Sequence, residues 1–521
     1  MTHANLPGQV AMTAAHGRWV LVVCTIASGM AFIDATALNV AMPALQDDLG
    51  ASGAELLWII NAYGIPLAAL LLPGGAAGDR FGRKAALMTG MGLFAAASIA
   101  CGLAPGAAAL IAARTVQGIG GAVMIPGSLA LLAASVAAER RGRAIGAWTA
   151  CSVAMTALGP AVGGVLAGAG LWRCVFFING PLAVVAMLVL HLRVREPARL
   201  AACGRMDLAG GLAGLAGLAG VNFGLLSAVA NGFDDPIAIG SLAAGIAALA
   251  LFVVVEARCK APLVPLALFR NRTFTAACLL TLSFYSGLYG MTYFLSLNLI
   301  QVQGYSEPAA GLALLPLVLM VVVVSLVMGR LVDRYGIRGP LAIGPAVAGT
   351  GFLLLTLPGL TAGPQEYHRQ FLPPLIVLGL AMGITAPPLS AAVMNSLSVE
   401  RAGLASGINS TLSRLSSVLG IALLGPMALA VFRSALAQQT QPLALDSVSR
   451  VGLTGEAWKL AAAKPPLGLP ADVRAEAERA IRRTFVKTFR TLACVCAAAI
   501  WLSTVLAATV LGRRTAAQGV P

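Results

Sequence analysis

The sequence predicts an all-α membrane protein, and two observations predict it. Of the 521 residues, 58% are hydrophobic and 11% are charged, against about 25% charged in an ordinary soluble domain. Apolar stretches of about 20 residues, the length that crosses about 30 Å of hydrocarbon, recur along the chain. Because lipid offers the backbone no hydrogen-bond partner, each stretch must be a helix. Fourteen such segments begin near Trp19, Leu56, Ala85, Ala107, Arg143, Trp172, Leu208, Pro236, Thr275, Pro308, Leu341, Phe371, Ala402 and Thr491.

The distribution of basic residues predicts how the chain is oriented. The formal net charge of +15 would suggest nucleic acid as the partner of a soluble protein, but here the bases concentrate in every second connection. Lysine and arginine are enriched in cytoplasmic loops of membrane proteins. The pattern predicts cytoplasmic N- and C-termini and a bilayer rather than a nucleic-acid partner. Abundant Ala, Gly and Arg is typical of a GC-rich bacterial genome, so we expect an inner-membrane protein.

Two sequence patterns occur twice. GGAAGDRFGRK at 74–84 shares its spacing with GRLVDRYGIR at 329–338, and ERRGRAIG from Glu139 recurs as ERAGLASG from Glu400. Nearly equal offsets predict two related six-helix halves, a plan used by transporters with the substrate between the repeats. We therefore expect one six-helix bundle in residues 1–200, two inserted helices in 201–265, and a second bundle in 266–521. The second bundle contains a long basic outer loop at about 433–490, and long loops are exempt from the charge rule.

Six motifs in order resemble the fourteen-helix drug:proton antiporter family of the major facilitator superfamily. They are GDRFGRK, IDATALNVAMPAL from Ile33, RTVQGIGGA from Arg114, GPAVGG from Gly159, WRCVFFINGP from Trp172 and GYSEPAAGLALLP from Gly304. The resemblance covers nearly the whole chain and implies the major-facilitator fold of two pseudo-symmetric bundles. Met155 departs from the family pattern, which usually has a small residue there.

The loop motif holds charge between apolar segments. Asp79 ends the second helix, where its carboxylate can accept hydrogen bonds from a neighbouring helix N-terminus. The resemblance implies that this neighbour is the helix starting near Ala402. We predict a cytoplasmic gating latch from Asp79 and Arg80, repeated at Asp333 and Arg334, with an ordinary topogenic loop as the alternative. We also include Arg83 in this latch, as a base that holds the loop at the membrane surface, and Gly82, which allows a close turn.

Asp34 is the carboxylate that lies well inside a predicted span, where a charge is costly and by default functional. Counting 1.5 Å per residue places Arg114 of the fourth helix at about the same depth. We predict that Asp34 carries a coupled proton and that Arg114 takes part in its release, because a nearby guanidinium stabilises the charged form. The alternative is a permanent ion pair that only positions helices.

GPAVGG places a helix-disrupting proline among small residues that allow close helix contact. The resemblance implies a seal against leak that biases the protein to export, formed by Gly159, Pro160, Gly163 and Gly164. Plain helix packing is the other interpretation, and the two are compatible.

A stripe on the ninth predicted helix indicates a substrate cavity. Thr281, Tyr285, Tyr289 and Tyr293 recur every four residues and share a face, with Phe284 beside them. These rings can stack on a flat or cationic compound, opposite Trp58, Asn61 and Tyr63; interhelical packing is the equal alternative. Arg414 is a second base within a span, with no evident acid partner, which either fills a water-lined cavity or binds an anionic substrate group.

The sequence thus predicts a secondary transporter that exports hydrophobic drugs or antibiotics, cationic compounds included, in exchange for protons. The proton gradient supplies the energy, and we expect no cofactor, metal or catalytic residue and a monomer. Neither a metal-binding H-E-x-x-H pair, a phosphate loop nor a G-x-S-x-G elbow occurs, so an enzyme is disfavoured. Export or uptake of an endogenous metabolite, and a transport-inactive receptor, are the alternatives.

Overall fold

A computed structural model of the protein describes residues 14–196, 208–231, 235–259, 262, 264, 266–361, 363–395, 397, 401–441, 452–453, 456–465 and 469–512. Every regular element in these ranges is helical. The α-helices are α1 (Ala14–Leu49), α2 (Gly53–Phe81), α3 (Arg83–Gly102), α4 (Ala107–Ser135), α5 (Arg141–Gly168), α6 (Cys174–Phe177), α7 (Asn179–Arg193), α8 (Leu208–Asn231), α9 (Pro236–Arg258), α10 (Arg272–Leu297), α11 (Glu307–Ala313), α12 (Leu315–Tyr335), α13 (Arg338–Leu354), α14 (Tyr367–Gln370), α15 (Leu372–Asn395), α16 (Ala402–Thr440) and α17 (Ala471–Gly512).

Twelve helical stretches within the described ranges are long and apolar enough to cross a membrane. The other two predicted segments correspond to α8, whose apolar part is the shorter stretch Ala209–Leu225, and to α13, which has 17 residues. The fold is therefore all-helical with about 12 candidate membrane helices, a coarser result than the fourteen spans that the sequence predicts.

The predicted outer loop at 433–490 is shorter in the structure. Helix α16 continues to Thr440 and α17 begins at Ala471, so helix occupies both ends of the predicted loop. The beginning of α17 is charged, but it buries Ala477, Ile481 and Phe485 while Arg482 is exposed. Apolar residues that recur every four positions form one face of a helix, and burying this face stabilises the charged beginning of α17 as a helix.

Glycines allow close approach in two of the helix contacts that join the halves of the chain. Helix α2 packs on α16 and α5 packs on α12. A methyl group on Gly75 of α2 would lie 3.0 Å from the Cα of Gly407, and one on Gly146 of α5 would lie 2.8 Å from the Cα of Gly329. Small residues therefore allow these helix backbones to approach each other closely, as in other membrane helix pairs.

The two inserted helices form a pair that lies against one of these contacts. Helix α8 packs along α9, lies against α2 and also touches α16. Gly217, Gly220 and Gly224 of α8 face α9 at close range, with Gly220 and Gly245 almost touching. The glycine-rich sequence of α8 thus serves helix packing, and it places α8 beside the seam between α2 and α16.

Adjacent glycines of α5 offer a matched test of the α1–α5 contact. A methyl group on Gly163 would lie 2.8 Å from the carbonyl carbon of Ala37, whereas one on Gly164 would lie 3.5 Å from Val40 Cγ1. We expect Gly163→Ala to lower the apparent Tm of the detergent-purified protein, because overpacking costs about 1–3 kcal/mol. Gly164→Ala should leave the Tm unchanged or raise it, since both variants gain the same helix propensity. Equal shifts would contradict a close contact at Gly163.

Candidate functional site

Asp34 of α1 and Arg114 of α4 form an ion pair in the interior of the first half. Asp34 is fully buried and Arg114 is 1% exposed. Gln117 Nε2 donates to Asp34 Oδ1 at 2.9 Å, and Arg114 Nη1 donates to Gln117 Oε1 at 2.8 Å. Asn179 of α7 donates to the same carboxylate oxygen at 3.5 Å. The carboxylate therefore has donors from α4 and α7, and we call these four residues the Asp34 network.

Aromatic rings surround the guanidinium of Arg114. Its Cζ lies 4.3 Å from the ring centroid of Tyr63 and 5.8 Å from that of Phe176. Arg114 Nε also donates to the carbonyl of Ile59 at 3.4 Å, and the Tyr63 hydroxyl donates to the carbonyl of Ala31. Cation–π contacts gain strength when the cation is desolvated. The site thus holds a desolvated charge pair that is enclosed by aromatic rings and by two further side-chain donors.

Sequence reasoning found Asp34 and Arg114 and missed their two amide partners. Gln117 follows Arg114 by three residues and so shares its helix face. Asn179 lies in the WRCVFFINGP stretch, two residues before a proline. A polar side chain inside an apolar span was the available indication in both cases, because such groups need internal partners in lipid.

The carboxylate of Asp79 joins the halves at the end of α2. Its Oδ1 accepts from the backbone N–H of Gly403 and its Oδ2 from that of Leu404, both at 2.8 Å. These are the first amides of α16, so the contact implied by the resemblance is present. Arg83 pairs with Asp79 at 3.0 Å, and Gly82 has φ 104°, a left-handed conformation that favours glycine.

Asp333 at the end of α12 makes the equivalent contact in the opposite direction. Its Oδ1 accepts from Gly142 N at 2.7 Å and its Oδ2 from Arg143 N at 2.9 Å, which are the first amides of α5. Arg141 also donates to Asn395 at 2.9 Å, a contact that the sequence did not reveal. Carboxylates at helix N-termini satisfy amides that lack intrahelical partners. We call this end of the bundle, where both carboxylates make these contacts, the Asp79 end.

The arginines next to the two aspartates lie over neighbouring rings. Arg80 Cζ is 5.5 Å from the ring centroid of Phe81, and Arg334 Cζ is 5.2 Å from that of Tyr335. The contacts between the halves described above are those of the two aspartates.

The GPAVGG stretch lies where α5 crosses α1. Gly159 faces Ile33 and Thr36, and Gly163 faces Ala37. Thr36 Oγ1 donates to the carbonyl of Thr156 at 3.0 Å. Pro160 is inside α5, and Gly164 is in ordinary contact with Val40. The stretch is thus packed against the segment of α1 that carries Asp34.

Met155, the departure from the family motif, also packs against α1. A methyl group on Gly29 would lie 3.1 Å from Met155 Cγ. Gly29 therefore leaves the room that the larger side chain occupies.

The structure divides the predicted substrate cavity among several environments. Tyr285 stacks on Tyr289 with centroids 5.8 Å apart, and Tyr289 is 40% exposed. Phe284 is buried in the core beside Tyr285, and Tyr293 packs on Phe294. The remaining predicted cavity residues lie on other helices.

Tyr63 belongs to the surroundings of Arg114. Trp58, which is 47% exposed, stacks on Phe223 of α8 at 5.7 Å. Asn61 is partly buried, and Arg414 lines a small pocket between α16, α2 and α8. Arg414 therefore lines a pocket, and Tyr289 of the Tyr285–Tyr289 stack is exposed.

Residues 24–421 match the family model of the Major Facilitator Superfamily. The chain belongs to this superfamily. Methylenomycin A resistance protein of Bacillus subtilis (strain 168) is 32% identical to it over 415 residues, which is 79% of this chain and 88% of the relative. Tetracenomycin C resistance and export protein of Streptomyces glaucescens is 33% identical over 429 residues, which is 80% of this chain and 78% of the relative.

Solved structures of the major facilitator superfamily have the same fold. The human organic anion transporter MFSD10 (TETRAN) aligns with a TM-score of 0.59 and 14% identity, covering 93% of this chain and 99% of that one. The proton:xylose symporter XylE aligns with a TM-score of 0.57 and 14% identity, covering 94% and 96%. The family and its relatives make this protein a transporter and not an enzyme.

The crossed carboxylate contacts predict separate changes in amide hydrogen exchange. Asp79→Ala should accelerate exchange most strongly around Gly403 and Leu404, and Asp333→Ala around Gly142 and Arg143. Loss of a helix cap costs about 1 kcal/mol, so we expect acceleration on the order of fivefold at the released amides. Each variant is the control for the other, measured by mass spectrometry on the purified protein. Unchanged exchange at the matching helix start would show that the carboxylate does not hold it.

Proposed function

We propose that the protein exports hydrophobic drugs or antibiotics, cationic compounds among them, in exchange for protons across a bacterial inner membrane. The Asp34 network carries this proposal, because it is a buried acid with a basic partner inside a transporter fold. The relatives support the direction of transport, since their names describe resistance and export. The small-molecule substrate and the proton would therefore share a single transport cycle.

The mechanism that the geometry supports is alternating access. In this conformation Asp79 and Asp333 close the Asp79 end by contacts between the halves. Opening that end requires both carboxylates to leave their helix starts. Because the two contacts use equivalent positions of the repeats, one rocking motion of the halves releases both.

The proton acts at Asp34 in this proposal. The carboxylate contacts Arg114 and Gln117 in the present arrangement, and protonation removes the charge to which they are attracted. Binding of a proton to Asp34 from the outer side would free Arg114. Release of this proton on the inner side would restore the ion pair. A cationic substrate competes for the same negative charge, so proton and substrate would alternate.

A permanent ion pair at Asp34 that only positions helices is the competing interpretation. Under this interpretation another group of this chain would carry the proton, or the chain would be a transport-inactive receptor. Export or uptake of an endogenous metabolite would use the same network. The role of Asp34 is therefore tested separately from the identity of the substrate.

The proposal includes fourteen spans, with α8 and α13 crossing the membrane beside the twelve stronger candidates, and the Asp79 end facing the cytoplasm. The basic loops that follow α2 and α12 support this orientation. The protein works as a monomer in this proposal.

Replacing Asp34 by Asn should abolish ethidium uptake into inverted vesicles driven by a pH gradient. Ethidium counterflow without a gradient should persist, because it needs a cavity and not a titrating acid. Asn at 34 leaves Arg114 without its counter-charge, which can cost about 3–5 kcal/mol. The double variant Asp34→Asn with Arg114→Gln removes both charges and controls for that cost. Gradient-driven uptake that survives in either variant would eliminate Asp34 as the proton carrier.

Reporter fusions test the span count and orientation. Alkaline phosphatase fused after Asn231 should be active, because α8 would carry it outward, and a fusion after Gly336 should be inactive. Green fluorescent protein at the same positions should give the opposite result. An inactive phosphatase after Asn231 would mean that α8 does not cross the membrane.

A further inference from the structure

A small pocket lies at the seam where α8 covers the contact between α2 and α16. Ala68 of α2 and Leu218 and Val221 of α8 form its apolar walls. Asn222 of α8 and Thr411 and Arg414 of α16 supply polar groups. Its volume of about 20 Å³ suits one or two waters or a single small functional group.

Arg414 brings a charge to this pocket and forms no ion pair with another described residue. The ion pairs among the described residues are Arg83 with Asp79, Arg114 with Asp34, and Arg173 with Asp48. Arg414 is partly buried and lies about 18 Å along α16 from its first residue, counting 1.5 Å per residue. A base at that depth is costly and normally finds a partner. The pocket is therefore where an anion would be stabilised.

Thr411 is an independent indication of a ligand. The residue is 7% exposed, and its Oγ1 is buried with no hydrogen-bond partner among the described residues. A buried hydroxyl left unpaired costs about 1–3 kcal/mol. Thr411 precedes Arg414 by one helical turn and so shares its face. The Asn222 amide lies on the α8 side of the same pocket, so three donors surround one small space.

We propose that this pocket binds the carboxylate of an amphiphilic organic acid, whose apolar body lies along the α2–α8–α16 seam. The inference deepens the proposed function and rests on it, because it names an acidic group as one that the exporter recognises. A carboxylate fits the pocket volume and accepts from a guanidinium, a hydroxyl and an amide together. Lipid headgroups stay at the bilayer surface, and the depth of Arg414 places the pocket beyond their reach.

The same site assigns a role to the inserted helices. Asn222 and two apolar wall residues come from α8, so the pocket is incomplete without it.

The test compares an acid with its ester on the full-length protein in phosphatidylethanolamine and phosphatidylglycerol nanodiscs. The probes are 1-pyrenebutyric acid and its methyl ester, with empty nanodiscs correcting for lipid partition. We expect the Kd of the acid to rise about tenfold or more in Arg414→Gln, the weight of a charge-assisted hydrogen bond. The ester should bind both proteins equally. Asn222→Ala should weaken acid binding by about threefold.

Matched variants keep the result interpretable. Arg414→Lys retains the charge and should keep the preference for the acid, whereas Arg433→Gln removes an exposed base of the same helix and should change nothing. An unaltered acid affinity in Arg414→Gln, or equal losses for acid and ester, overturns the proposal. If the acid preference depends on Arg414 but vesicles show no gradient-driven export of any probe, the binding site stands and the proposed function fails.

Discussion

The helix starts at the Asp79 end depend on carboxylates from the opposite half of the chain. The first amides of a helix have no intrahelical partner, and a nearby anion stabilises them. Asp79 serves α16, and Asp333 serves α5. In each contact, the aspartate comes from one sequence repeat and the helix start comes from the other. The same type of contact therefore occurs twice, once in each direction. The glycines on both sides permit it, since Gly75 and Gly407 nearly touch. These contacts stabilise the conformation in which Asp79 and Asp333 hold the helix starts of the opposite half.

Helix α5 connects that closure to the buried acid. One end of α5 is held by Asp333, and GPAVGG packs against α1 beside Thr36, two residues from Asp34. The helix has 28 residues and is therefore about 42 Å long at 1.5 Å per residue. Release of Asp333 would let α5 tilt, and tilting shifts the part of α1 that carries Asp34 relative to Arg114 on α4. In the proposed mechanism, such a motion of packed helices would link the proton at Asp34 to the contacts at the Asp79 end.

Hydropathy predicted the helical segments and the ordered motifs predicted the family, because each is a property of local sequence. The repeated loop motif also singled out Asp79 and Asp333, whose role as a latch stays a prediction. The ends of α16 and α17 were predicted less well. Their charged turns lie outside the apolar spans, and only the four-residue spacing of Ala477, Ile481 and Phe485 indicated a helix there. Periodicity also shows which residues share a face and not which helix that face meets. Tyr63 and Trp58 illustrate this limit, since one contacts Arg114 and the other contacts the inserted helix α8.

Arg114 and Arg414 show how two bases inside the bundle differ in what they are able to do. Arg114 has a carboxylate, an amide and an aromatic face as partners, so its charge is balanced within the protein. Arg414 lies on a seam that three helices share. The Thr411 hydroxyl, one turn away, has no hydrogen-bond partner among the residues that the structure describes. The first arrangement suits the proposed proton cycle, because protonation of Asp34 would remove the charge that attracts Arg114. The second suits a charge whose partner arrives with the ligand. Placing α8 over this seam shields it from lipid tails, which cannot stabilise a guanidinium, and leaves the ligand to complete the site.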